Sequence, residues 1–113
     1  MKNQGRLYTQ GASSMRDRNV VLNAERVVFY SMTDESSFFE WLARMPFVLD
    51  VAGRGLVIEI TVDTLKVDDD GLSELIALFQ RYRVSMRQLR VFDCEEFSHW
   101  FRRRNTFWYK KVF

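Results

Sequence analysis

The chain holds one cysteine, Cys94, and one histidine, His99. A thiol and an imidazole in reach of each other can do nucleophilic catalysis, because the imidazole takes the thiol proton. Five residues apart on a helix, they are rotated by about 500° and lie on different faces. A helix N-terminus lowers a thiol pKa, and Cys94 reads as the first residue of a helix, but an ordinary helix residue is the expected outcome. Carboxylates are more numerous. Asp63, Asp68, Asp69, Asp70 and Glu74 offer oxygen ligands suited to Mg²⁺ or Ca²⁺. They lack the Asp-x-Asp-x-Asp-Gly spacing of a calcium loop. Helix capping already accounts for the three consecutive aspartates. No metal and no cofactor is therefore expected. A glycosidase pair needs two carboxylates a few ångströms apart, and no sequence spacing specifies that. Gly53-Arg54-Gly55 is a turn and not a phosphate loop, since no Gly-Lys-Ser/Thr follows.

Two charged regions suggest binding. The first is basic. Residues 81–113 carry nine basic against three acidic side chains, a net +6. Residues 76–92 superficially resemble a helix-turn-helix. Met86 to Phe92 would be the reading helix, with Arg87 and Arg90 on phosphates or bases. Six residues separate Ala77 from Val84 and none is glycine, which is a poor fit to that turn. Arg81, Arg83, Arg87 and Arg90 are the nucleic-acid candidates on this reading, within an arginine-rich region spanning 81–104. The second region is acidic. Residues 25–80 carry four basic against eleven acidic side chains, a net −7. Asp63, Asp68, Asp69, Asp70 and Glu74 gather in one loop and helix start. Such a face can occupy a basic site on a partner protein.

The elements that must position these residues can be read from pattern. Residues 1–19 are polar and read as a loose extension. Arg26 to Ser31 is β-branched and aromatic and predicts a strand. Val20 to Leu22 is a shorter candidate, with Asn23 in a turn. Thr33, Asp34 and Glu35 open a helix, with Thr33 as its cap. Phe38, Trp41, Leu42 and Met45 then form one face, and Pro46 ends it. Phe47–Ala52 and Leu56–Val62 predict two strands joined through the Gly53-Arg54-Gly55 turn. Asp68 caps the next helix, with Val67 and Leu72 as its hydrophobic staple. The breadth of its apolar set makes it the most buried helix. Ser85 with Gln88, and Asp93 with Glu96, read as capping boxes that start two more helices. The aromatic tail from Thr106 to Phe113 should be docked.

Composition bounds the rest. The chain has 113 residues, is 47% hydrophobic and is 15% aromatic. That suits one domain with a real core and excludes disorder for most of it. A single cysteine excludes an internal disulfide and cysteine-rich zinc sites. No apolar run reaches the roughly 18 residues of a membrane helix. No signal-peptide core is present, so the cytoplasm is the expected compartment. The expectation is one α+β domain over 20–113. About three strands, antiparallel or mixed, would be packed by a central buried helix and two to three others.

Several stretches together resemble a known family. They are Phe38 to Leu42, Glu74 to Tyr82, Met86, Gln88-Leu89, Phe92, Trp100-Phe101, and the ending Trp108 to Phe113. Over about seven-tenths of the chain, from Asp34 to Phe113, this pattern resembles the immunity proteins of bacterial contact-dependent growth inhibition systems. The resemblance implies a cytosolic, non-enzymatic binder that neutralises a cognate toxin domain, often a nuclease. It implies no catalytic residues. Trp41, Phe79, Tyr82, Phe92, Trp100 and Trp108 would then be fold determinants, and toxin contacts would lie on polar surface. The acidic cluster from Asp63 to Glu74 is the toxin-binding candidate.

Overall fold

A computed structural model describes residues 18–113. Residues 1–17 of the expected extension lie outside the described residues. Strand β1 is Asn19–Glu25, β2 is Val48–Arg54 and β3 is Val57–Asp63. They form one antiparallel sheet in the order β1-β3-β2. The fold is α+β, as the pattern predicts. β1 runs against β3 from Asn19 opposite Asp63 to Glu25 opposite Val57. β2 and β3 form the expected hairpin, but Gly53 and Arg54 pair within β2, opposite Ile58 and Val57, so the turn is Gly55-Leu56 and not Gly53-Arg54-Gly55. Gly55 opens its two-residue turn at φ +61°, the positive φ that short hairpin turns require at that position. A bulge between Val48 and Asp50 shifts the register of β2.

The strand expected at Arg26 to Ser31 does not form. The Arg26 N–H donates to the Leu56 carbonyl at 2.8 Å, and β3 begins only at Val57. Beyond that rung the chain has no partner strand. Its alternation survives without the ladder. Val27 and Phe29 are half-buried, whereas Val28 and Tyr30 are exposed. The Phe29 ring lies 5.4 Å from that of Phe38 and 6.0 Å from that of Tyr82.

Helix α1 is Met32–Ala43. Its cap is Ser31 and not Thr33. The Ser31 hydroxyl accepts from the Asp34 N–H, and the Asp34 carboxylate accepts in return from the Tyr30 N–H, both at 3.0 Å. Helix α2, Asp69–Tyr82, is the central element. Its cap is Asp68, as predicted, with Oδ1 accepting from the Gly71 N–H at 2.8 Å. Val67 and Leu72 are both buried, as a staple requires. Gly71 packs directly on Phe47, and a Cβ there would fall 2.7 Å from Cε2 of that ring. Phe38, Phe47, Phe79, Phe92, Phe97 and Phe101 are fully buried in one cluster drawn from sheet and helices. Each contributes about 1.5–3 kcal/mol of apolar burial.

After α2 the chain tightens. Neither predicted capping box forms. Met86–Phe92 is a 3₁₀ helix, and Glu95–Phe97 is a 3₁₀ turn that leads into α3, Ser98–Phe101. With three residues per turn, positions i and i+3 align, and Met86, Leu89 and Phe92 are the buried row. The would-be capping residues bond elsewhere. Gln88 accepts from the Asn23 N–H at 2.7 Å and donates to the Asn23 carbonyl at 2.8 Å, on the outer edge of β1. Asp93 receives two hydrogen bonds from Arg102, at 2.8 and 2.6 Å. The tail is docked as expected. Helix α4, Tyr109–Val112, buries Val112. Among the described residues no helix is long and apolar enough to cross a membrane.

Candidate functional site

The acidic candidates cluster around the start of α2, and the fold uses most of them. Asp63 is only 3% exposed. It caps the 3₁₀ turn Thr64–Lys66 by accepting from the Leu65 N–H at 3.1 Å, and it pairs with Arg18 at 3.5 Å. Asp68 is the α2 cap. Asp69 accepts from the Trp100 indole N–H at 2.8 Å. Glu74 accepts from the Trp41 indole N–H at 2.7 Å. Asp68, Asp69, Asp70 and Glu74 remain exposed. Among the described residues, only Asp70 of the five has no hydrogen-bond or ion-pair partner.

The basic candidates divide differently. Arg90 is engaged. Its guanidinium donates to the carbonyls of Val112 and Phe113, each at 2.7 Å, and so ties the tail to the 3₁₀ helix. Arg81, Arg83 and Arg87 are exposed and form no ion pair among the described residues. They stand around the C-terminal end of α2. Arg83 closes that helix at φ +59° and ψ +39°, a left-handed conformation. The Val84 N–H donates to the Phe79 carbonyl at 2.9 Å, the backbone bond of a Schellman-type cap. Glycine usually fills this place, and an arginine there bears about 1 kcal/mol of backbone strain.

Three adjoining grooves open at this corner, and Arg83 lines all of them. The first also holds Arg26, Val28, Tyr30, Asp34, Arg81 and Tyr82. The second has a volume of about 590 Å³ and adds Arg87, Lys110 and Lys111. The third adds Trp41 and Phe107. Six cations thus face one carboxylate, Asp34, which already accepts from the Tyr30 N–H. Burial raises the Tyr82 hydroxyl pKa above its ordinary value, and the oxygens of Asp34 raise it further. It therefore stays neutral beside the arginines at physiological pH.

Sequence spacing brought only Arg81, Arg83 and Arg87 to this corner. Arg26, Lys110 and Lys111 arrive from opposite ends of the chain, and no local signal links them to α2. Lys111 donates to Gln80 at 2.6 Å, which fixes the tail against the helix. The thiol and imidazole stay apart in role. Cys94 is half-buried beside the core, and His99 is exposed on α3. Among the described residues no three metal-ligating side chains converge.

Trp41, Phe79, Tyr82, Phe92, Trp100 and Trp108 of the family-like pattern all lie in or against the core, whereas Phe39 of the same pattern is exposed. Phe79 and Phe92 are fully buried. The polar atoms of the others are satisfied within the domain. Trp41 and Trp100 donate to Glu74 and Asp69. Trp108 donates to the Phe101 carbonyl at 2.8 Å, and Tyr82 to the Asp34 carbonyl at 3.3 Å. No family model, curated protein or solved structure matches the chain.

Proposed function

We propose that this domain is an immunity protein of the contact-dependent growth inhibition kind. It would bind a cognate toxin domain, a nuclease on this reading, and neutralise it one to one without chemistry of its own. One observation carries the reading. Six aromatics within the stretches that prompt the resemblance, Trp41, Phe79, Tyr82, Phe92, Trp100 and Trp108, form the internal framework of the domain, with their polar atoms bonded inside it. A binder that must meet a particular toxin needs such a fixed scaffold and a separate surface free to differ. The charged surface at the C-terminal end of α2 has that character.

The test is co-purification of the tagged full chain with a toxin domain encoded directly upstream, followed by growth rescue of cells producing that toxin. Stable co-elution and rescue are expected. Failure of both would remove the reading.

A second reading has its own observation. Arg81, Arg83 and Arg87 are exposed and without ion-pair partners among the described residues, as a nucleic-acid-binding regulator would need. Arg90 would take no part, since the tail holds it. That reading expects duplex retardation that weakens steeply as salt rises.

A further inference from the structure

The two ends of α2 are both charged, yet at the N-terminal end every acidic candidate but Asp70 is engaged. At the C-terminal end Arg81, Arg83, Arg87 and Lys110 are exposed and make no ion pair among the described residues. They adjoin two exposed aromatic rings, Tyr30 at 87% and Phe107 at 55%. Arginine and aromatic side chains around a partly apolar floor are the composition of protein-binding hot spots.

We propose that this basic corner, centred on Arg83, is where the toxin domain docks, and that the toxin presents a carboxylate-rich segment to it. The inference rests on the immunity reading and adds the place and the partner chemistry. Three features favour a protein over a nucleic acid. The chain's net charge is only +2. The corner includes a carboxylate, Asp34, and an exposed aliphatic residue, Val28. A groove that tracks phosphates would instead be continuous in charge. Planar guanidinium groups match carboxylates in paired hydrogen bonds. The left-handed backbone at Arg83 marks that cation, whatever the partner, as one kept against strain. Glycine would relieve the strain there and would leave the corner without its central cation.

The proposal has a consequence for inhibition. A site that binds phosphodiesters is itself basic. An acidic docking segment placed away from the phosphate-binding cleft would make the blocked surface an exosite.

The experiment measures binding of the full-length protein to the toxin domain encoded directly upstream. It compares the unaltered protein, Arg83→Gly, Arg83→Gly with Arg87→Glu, and Asp70→Lys. A single-stranded RNA of about twenty nucleotides serves as the second ligand. The unaltered protein should bind the toxin, with affinity that falls as salt rises. Arg83→Gly should melt no lower than the unaltered protein and still bind less tightly. The double variant should lose at least tenfold, mostly in association rate. Asp70→Lys should stay within about twofold. Undiminished binding by the double variant would overturn the proposal and leave immunity standing. So would a tenfold loss in Asp70→Lys alone. Binding to the RNA without binding to the toxin would overturn both. If the unaltered protein neither binds nor rescues, the immunity reading fails first, before any variant is consulted.

Discussion

The two ends of α2 differ less in the size of their charge than in what that charge is doing. At the N-terminal end Asp68 closes the helix, Asp69 holds Trp100 and Glu74 holds Trp41. At the C-terminal end Arg81, Arg83 and Arg87 touch no acid among the described residues. A carboxylate that anchors an indole can be altered only at the expense of packing. A solvated guanidinium can be altered with little effect on the fold. A sequence can therefore carry two equally conspicuous charge clusters of which one is scaffold and the other is surface. The difference shows only when hydrogen-bond partners are assigned.

The contrast is sharpest in stability. Trp100 packs against Phe97, Phe101 and Trp108 and donates to Asp69. Trp100→Ala should cost about 3–5 kcal/mol, read as a large fall in the urea midpoint. A midpoint close to that of the unaltered protein would break the claim that the acidic end is scaffold. Next in size is the cap. Asp68→Ala should cost about 1 kcal/mol, whereas Asp68→Asn, which keeps an acceptor, should cost far less. Equal losses for the two would mean that the cap bond is not what matters.

A smaller effect appears in alkaline solution. The Tyr82 pKa is raised by burial and by Asp34. Its neutral form is thus favoured by the folded state. That contribution is complete below the unfolded tyrosine value of about 10 and is lost as pH rises through the folded value. Tyr82→Phe should narrow the loss of melting temperature between pH 9 and 11, and an unchanged profile would remove Tyr82 as its source. The smallest effects belong to the basic end. Arg81→Glu should change stability by no more than about 0.5 kcal/mol. Arg83→Gly should be neutral or slightly stabilising, because relief of the left-handed backbone offsets the entropy that glycine adds to the unfolded chain. A clear destabilisation by either variant would mean that this end, too, is scaffold.

What could be read from the residues followed one physical line. Most features fixed within a few neighbours were legible, the exception being the α1 cap, which falls on Ser31 and not Thr33. The α2 cap at Asp68, the Val67–Leu72 staple and the β2–β3 hairpin are of that kind. Features fixed by a distant partner were not. Arg26 to Ser31 has the composition and alternation of a strand, but the neighbouring strand ends before it. Ser85 with Gln88 and Asp93 with Glu96 have the spacing of capping boxes. Gln88 instead meets Asn23, 65 positions earlier, and Asp93 meets Arg102. The same rule governs the candidate site. The charge of the arginines was visible, but the arrival of Arg26 and Lys110 beside them depends on tertiary packing. So does the removal of Arg90 by the tail.

The Gln88 amide has a meaning beyond its two hydrogen bonds to Asn23 and its third to the Ser85 carbonyl. A carboxamide holds a carbonyl acceptor beside an N–H donor, as the N–H and C=O of one residue on a strand edge stand side by side. On the open side of β1 it imitates one link of a fourth strand. An unguarded sheet edge is a template on which a second copy can add itself, and a third after that. The opposite edge is irregular because of the bulge at Val48 and Asp50. One edge is interrupted at Asn23 and the other at the Val48–Asp50 bulge. Both interruptions are devices that hinder the edge-to-edge addition of a further strand.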